Sequence, residues 1–254
     1  PEFYFLYSFP DFGNAIDDYA YTVISDLGKT TYAASDLSPA TEFTSITLPD
    51  QPTYSFGIEA YKSEEDYRQN RGHSTFGTIS DLNSSSYTFD VPIFPDVFDT
   101  YNIFYTTSIS SKLEYSMKQK GMASPVISED FQVTKNEQNI SINGEHDYSK
   151  ISFQYGFDAP NTQLNLFNWT FYGKESTALE LPMENFEIPL EVLDLYGERG
   201  VLPRPSQQTD DNFSYDLEVY NHSDSVIYEN MMFGGDYNQN EGGNVVWLTL
   251  DLTN

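Results

Sequence analysis

Cysteine is missing from this 254-residue chain. Its absence removes disulfide scaffolds, Cys-ligated zinc sites and thiol nucleophiles together. Basic residues are scarce: 12 Lys and Arg stand against 39 Asp and Glu, a formal net charge of −27 at pH 7. Nucleic-acid binding draws its affinity from clustered Lys and Arg against phosphate, so a chain this acidic repels DNA, RNA and anionic lipid headgroups. No nucleic-acid partner is expected. No stretch approaches the roughly eighteen consecutive apolar residues that a membrane-spanning helix requires. The opening Pro1-Glu2-Phe3-Tyr4-Phe5 lacks the basic start and apolar run of a signal peptide, and the chain reads as soluble and already processed.

What the chain has in quantity is aromatic surface, with 20 Tyr and 19 Phe, and a hydrophobic content of 39% that is enough for two modest cores. Apolar side chains recur at every second position, which puts them on one face of a pleated strand. The runs are Phe3, Phe5, Tyr7, Phe9; Tyr19, Tyr21, Val23; Tyr54, Phe56, Ile58, Ala60; Tyr87, Phe89, Val91; and Ile103, Tyr105, Thr107, Ile109. The second half continues with Ile151, Phe153, Tyr155; Leu164, Leu166; Phe186, Ile188, Leu190, Val192; Tyr215, Leu217, Val219; and Val245, Trp247. Gly, Pro, Asp, Asn and Ser bound these runs, as turns prefer. Helical signals are confined to Ser63-Glu64-Glu65-Asp66-Tyr67-Arg68, which begins as a capped turn. Leu190 to Leu195 fits strand or helix by periodicity and is read as strand.

The expected fold is all-β, two tandem antiparallel β-sandwich domains of immunoglobulin or fibronectin type. Lys118-Gln119-Lys120-Gly121-Met122-Ala123-Ser124-Pro125 breaks the alternation and carries Gly and Pro. It sets the expected boundary, with an N-terminal sandwich over 1–122 and a C-terminal one over 123–254. A Leu-Pro step recurs before a strand in each half, Leu48-Pro49 and Leu181-Pro182. Tandem duplication and the ordinary use of Pro at edge strands both account for it.

No catalytic residue is expected. His73, His146 and His222 lie far apart in sequence beside polar neighbours and read as exposed. Gly-x-Ser-x-Gly, Ser-x-x-Lys and His-Glu-x-x-His are all absent. With 39 acids, paired carboxylates arise by accident, so no one pair is informative.

For metal, Asp236-Tyr237-Asn238-Gln239-Asn240-Glu241-Gly242-Gly243 offers oxygen ligands at alternate positions, Asp236, Asn238 and Asn240, as a calcium loop does. Glu241 and Trp247 stand where an EF-hand places its Gly and its bidentate Glu, so a polar hairpin loop is the favoured reading and a structural calcium the alternative. Asp210-Asp211-Asn212 presents the same choice more weakly. No other cofactor is expected. For glycan binding the nominated residues are Trp169 and Tyr172, on opposite faces of Asn168-Trp169-Thr170-Phe171-Tyr172, one of which must meet solvent. Sequons at Asn83, Asn139, Asn168, Asn212 and Asn221 match the N-glycosylation pattern, as expected by chance in an Asn- and Ser-rich chain. Asp224-Ser225-Val226 is similar to the O-glycosylation acceptor of exported Bacteroidota proteins.

The run from Tyr19 to Lys29, an alternating strand entering an Asp-x-Gly turn, followed by Phe43 to Pro49, resembles the opening of β-sandwich domains in exported Bacteroidota lipoproteins. That resemblance implies a cell-surface or outer-membrane location, with a lipidated Cys just upstream of Pro1. It implies a non-enzymatic accessory module on an outer-membrane barrel or envelope complex, such as a SusCD-like importer or the type IX secretion translocon. The alternative it implies is a surface polysaccharide-binding protein using exposed aromatics.

Overall fold

A computed structural model describes residues 4–8, 19–24, 28–29, 31–51, 53–81, 87–136, 139–157, 165–174, 178–180, 213–224 and 243–252. The described chain is all-β with antiparallel pairing, apart from one short helix and a single 3-10 turn at Ala34–Asp36. The strands are β1 (Tyr4–Ser8), β2 (Ala20–Ile24), β3 (Ser38–Pro39), β4 (Glu42–Leu48), β5 (Thr53–Tyr61), β6 (His73–Asp81), β7 (Tyr87–Ile93) and β8 (Thr100–Ser108). They continue with β9 (Leu113–Lys120), β10 (Gln132–Asn136), β11 (Asn139–Asn143), β12 (Tyr148–Phe157), β13 (Asn165–Lys174), β14 (Ala178–Glu180), β15 (Phe213–His222) and β16 (Val245–Asp251). The largest sheet runs in the order β13-β12-β15-β16-β9-β8-β5-β6, beside smaller sheets β1-β2-β3, β10-β11-β14 and β4-β7.

The chain divides into two compact units. Unit 1 comprises Pro1–Ser108, Ser116–Ile127 and Asp236–Val245; unit 2 comprises Ile109–Tyr115, Ser128–Gly235 and Val246–Asn254.

In unit 1, alternation does what period two requires. Tyr54, Phe56, Ile58 and Ala60 of β5 are buried together with Ile103, Tyr105 and Thr107 of β8. Ile46 and Leu48 of β4 and Val91 of β7 are buried in the same unit. Each large apolar side chain so removed from water contributes about 1.5–3 kcal/mol. The alternation of β8 ends at Ser108, and Ile109 in the following turn is exposed. Val23 of β2 is also exposed, whereas Tyr21 packs edge-on against Phe94 with ring centroids 4.8 Å apart.

The capped turn forms as its sequence dictates, as helix α1 (Glu64–Arg68). Ser63 is the N-cap and its Oγ accepts from the Asp66 backbone N–H at 3.1 Å, while Glu64, Glu65 and Asp66 meet the positive helix end. Tyr67 of α1 is buried against Tyr61, ring centroids 5.2 Å apart and nearly perpendicular.

Lys118 to Lys120, with the charged and small residues that interrupt alternation, completes strand β9. Tyr115, Ser116, Met117 and Lys118 are buried in succession, so both faces of this strand are covered and its sequence carries no period of two.

In unit 2, β12 pairs with β13 and β15 over long registers, Tyr148↔Lys174 to Phe157↔Asn165 and Tyr148↔Tyr220 to Tyr155↔Phe213. Ile151, Leu217, Val219, Leu248 and Leu250 supply the buried side of these strands, with Val133, Ile140 and Ile142 buried in the small sheet. In β16 the core positions are Leu248 and Leu250, and Trp247 turns away from them to an aromatic row on the opposite face. Both faces of β16 carry apolar residues, so Val245 and Trp247 alone do not identify the core side.

Candidate functional site

The richest described surface is the face of unit 2 opposite that core. Alternation along β12, β13 and β15 places three rows abreast. The first holds Lys174, Tyr148 and Tyr220; the second Tyr172, Lys150 and Glu218; the third Thr170, Ser152 and Asp216. β16 extends the first row with Trp247, whose ring lies 6.0 Å from that of Tyr220 at 17°, and the third with Asp251, whose charge reaches Asp216.

The first row is a ladder of upright rings. Tyr148 and Tyr220 stack at 4.6 Å with an interplanar angle of 8°, and His222 lies nearly parallel to both, at 6.0 and 6.4 Å. Rings stacked in this way spend their faces on one another and turn edges outward. They stiffen the surface and leave sugar stacking to rings outside the ladder.

His222 and His146 are buried, a correction to the exposure expected from their polar neighbours. His222 is in β15, where sequence neighbours point to the other face and lateral neighbours decide burial, and His146 is in the loop before β12, where its Nδ1 lies 3.3 Å from the Gly144 carbonyl oxygen. Asp147 fixes His222 twice: its Oδ2 accepts from the His222 backbone N–H at 2.7 Å and lies 2.8 Å from Nδ1. A carboxylate on Nδ1 is also how hydrolytic triads orient their base. Here the His222 side chain is 2% exposed, and the hydroxyls of this face, Ser152 and Thr170, lie three rows away along the registers.

The second row is polar and closed. Lys150 Nζ meets Glu218 Oε1 at 2.7 Å, and the Tyr220 hydroxyl donates to Glu218 Oε2. Burial first, and then the hydrogen bond to the Glu218 carboxylate, hold the Tyr220 phenol far above its ordinary value, so it remains a donor at any physiological pH. One carboxylate is thereby shared between an ammonium and a phenol.

The third row is strained electrostatically. Burial, then Asp251, then Glu218 hold the Asp216 carboxyl above the ordinary 3.8, with Lys150 opposing. A carboxyl whose folded pKa is raised binds its proton more readily in the native state, so its charge lowers stability as pH rises from 3.8 through that folded value. Asp216→Asn is therefore expected to raise Tm at pH 7 by a few degrees. The gain should vanish below about pH 3.8 in melts run across pH.

The nominated residues fall as follows. Tyr172 is 40% exposed on the open face, flanked by exposed Thr170 and Lys174. Trp169 is in β13, in register with Phe153, and its side chain lies outside the described residues. Asp236, Asn238 and Asn240 also lie outside them, as do Asp210 to Asn212 and the strand expected over Phe186 to Val192. Among the described residues no group of three or more His, Asp or Glu is arranged to hold a metal ion. Sequence reasoning passed over Tyr148, Lys150, Glu218, Tyr220 and Trp247. The signal was present in the polar phase of the strands, Asp216-x-Glu218-x-Tyr220-x-His222, opposite Leu217 and Val219.

No protein-family model matches this chain, and no curated protein matches it.

Proposed function

We propose that this chain is a non-enzymatic module of the bacterial cell surface that docks on an outer-membrane barrel or envelope complex, of the kind that SusCD-like importers or the type IX translocon represent. In this reading it is a Bacteroidota-type lipoprotein whose anchor is a Cys upstream of Pro1. Its units are β-sandwiches of immunoglobulin-like type. The observation that carries the reading is the rigid face of unit 2, where stacked rings and a closed Lys150–Glu218–Tyr220 network lead to exposed Tyr172, Thr170 and Lys174. Such a face is pre-organised for contact, with an aromatic anchor at its open end, and preorganisation lowers the entropic cost of docking.

Affinity purification from gently solubilised envelopes is the test. The expected result is stoichiometric recovery of a barrel protein, reduced at least about tenfold by Tyr172→Glu with the fold intact. Recovery of the chain as a free monomer overturns it. The exposed ring of Tyr172 favours one second reading, surface polysaccharide binding, and retention on a polysaccharide panel that Tyr172→Ala abolishes would establish that instead. A structural calcium in the Asp236–Asn238–Asn240 loop belongs to the same proposal. It requires a thermal transition that differs between chelator and millimolar calcium.

A further inference from the structure

Unit 1 carries a second surface on the side of β5 and β8 opposite its core. There Gly57 of β5 stands in register with Gly77 of β6 on one side and Phe104 of β8 on the other. Two glycines abreast leave a floor of bare backbone beside an aromatic ring. A Cβ placed on Gly57 would meet, among the described residues, only the Phe76 carbonyl oxygen at 3.5 Å, an ordinary contact. Gly57 and Glu59 are half-buried and Ser55 is exposed.

Polar groups frame this floor. On one side Glu59 takes the Tyr61 hydroxyl hydrogen bond at 2.8 Å on one carboxylate oxygen. On the other lie Ser55 and its register partner Thr106, whose hydroxyl is 2.9 Å from that of Ser116. A bulge between Ile58 and Glu59 shifts the β5–β6 register beside the glycines, a device that re-aims side chains at sites. Beyond Phe104, Lys118 of β9 sets its ammonium 5.2 Å from the ring centroid with its side chain nine-tenths buried. Among the described residues that ammonium makes neither an ion pair nor a hydrogen bond, so its stem is buried while its donors remain open to a ligand oxygen.

We propose that the slot over Gly57 and Gly77 binds one neutral saccharide unit, with the Phe104 ring as its apolar wall, Glu59 accepting from ligand hydroxyls and Lys118 donating to a ligand oxygen. The combination selects the class. A purely apolar guest would leave Glu59 and Lys118 unsatisfied, and a phosphate or polyanion would meet both Glu59 and the net charge of −27. A sugar has one apolar ring face and a rim of donors and acceptors, which matches one ring and alternating polar groups. Burial, the larger influence, lowers Lys118 to about 8 against the opposing charge of Glu59, which agrees with an ammonium short of acceptors.

The test is an amide NMR titration of the whole chain with methyl glucoside, methyl galactoside, methyl mannoside and N-acetylglucosamine, one at a time. The expected result is saturable shifts at the Gly57, Gly77 and Phe104 amides with at least one of them, at an affinity of about millimolar. In the saturated state the Lys118 ¹³Cε titration midpoint moves up from about 8. Gly57→Val, which fills the slot, removes the shifts. Lys118→Met, which keeps the bulk, weakens binding about tenfold and leaves the amide pattern of the free protein in place. Absence of saturable shifts with every sugar, or shifts that centre on Tyr172 of unit 2, overturns the proposal. So does binding that a folded Gly57→Val variant retains. Should that variant not fold, the wild-type shifts and the Lys118 titration decide alone.

Discussion

Gly144→Ala is expected to cost about 3–5 kcal/mol of stability. Gly144 follows β11 with φ of 96°, in the left-handed region where an L side chain is strained. A Cβ built there lies 2.6 Å from the Asp130 carbonyl oxygen and 3.1 Å from the Phe131 Cα. Both obstacles are backbone, so neither can rotate away. Relief would have to part the β10–β11 ladder at its Gln132↔Asn143 end and lift buried Phe131. A fall in Tm of about 10 °C follows for a chain of this length. Gly121→Ala supplies the control: its φ is 94°, but a Cβ there meets nothing within 4 Å among the described residues, so the conformational strain stands alone at about 1–2 kcal/mol. Equal losses in the two variants by urea denaturation would show that the Asp130 collision is not felt.

Tyr61→Ala is expected to cost about 3–5 kcal/mol as well, for a different reason. The side chain is 0% exposed, its hydroxyl donates to Glu59 and accepts from Asn102 Nδ2 at 3.2 Å, and its ring carries Tyr67 of α1. Gly72 is packed flat on that ring, so closely that a Cβ there would come within 2.8 Å of Cε1. Tyr61→Phe keeps the volume and removes the hydroxyl, at about 1–3 kcal/mol. The pairing with Gly72 makes the argument sharper. Gly72→Ala alone should destabilise, yet in the Tyr61→Ala background its methyl enters the cavity, and the double variant should be more stable than the sum of the two losses by more than 0.5 kcal/mol or so. Simple additivity would mean that the ring and Gly72 do not share the space their distance implies.

Legibility in the sequence tracked the range of the interactions. Helix α1 was readable because Ser63 caps Asp66 three residues away, a contact the local chain makes by itself. β5 and β8 were readable because their core face takes every second residue, which writes the alternation directly into Tyr54, Phe56, Ile58 and Ile103, Tyr105, Thr107. β9 was not, since its four successive buried residues include a lysine, a type that belongs at the surface unless its neighbours cover it. The unit 2 face was half legible: Tyr172 could be nominated, but the ladder of Tyr148, Tyr220 and Trp247 joins residues from strands far apart in sequence. The Gly57–Gly77 slot needed the β5–β6 register, and a bulge sits in that very pairing. No single strand announces a lateral neighbour.

The make-up of the units carries a consequence for how the chain comes into being. Unit 1 needs Asp236–Val245 from near the end of the sequence, and unit 2 needs Ile109–Tyr115 from before the middle as well as Val246–Asn254. Neither unit is therefore built from one continuous stretch of chain. β9, with four buried residues in succession, stands in the sheet between β8 and β16, and β16 lies more than a hundred residues further along the chain, the slow arrangement that long sequence separations impose. Until β16 is available, the acidity of the chain, 39 acids against 12 bases, sets copies of it to repel one another.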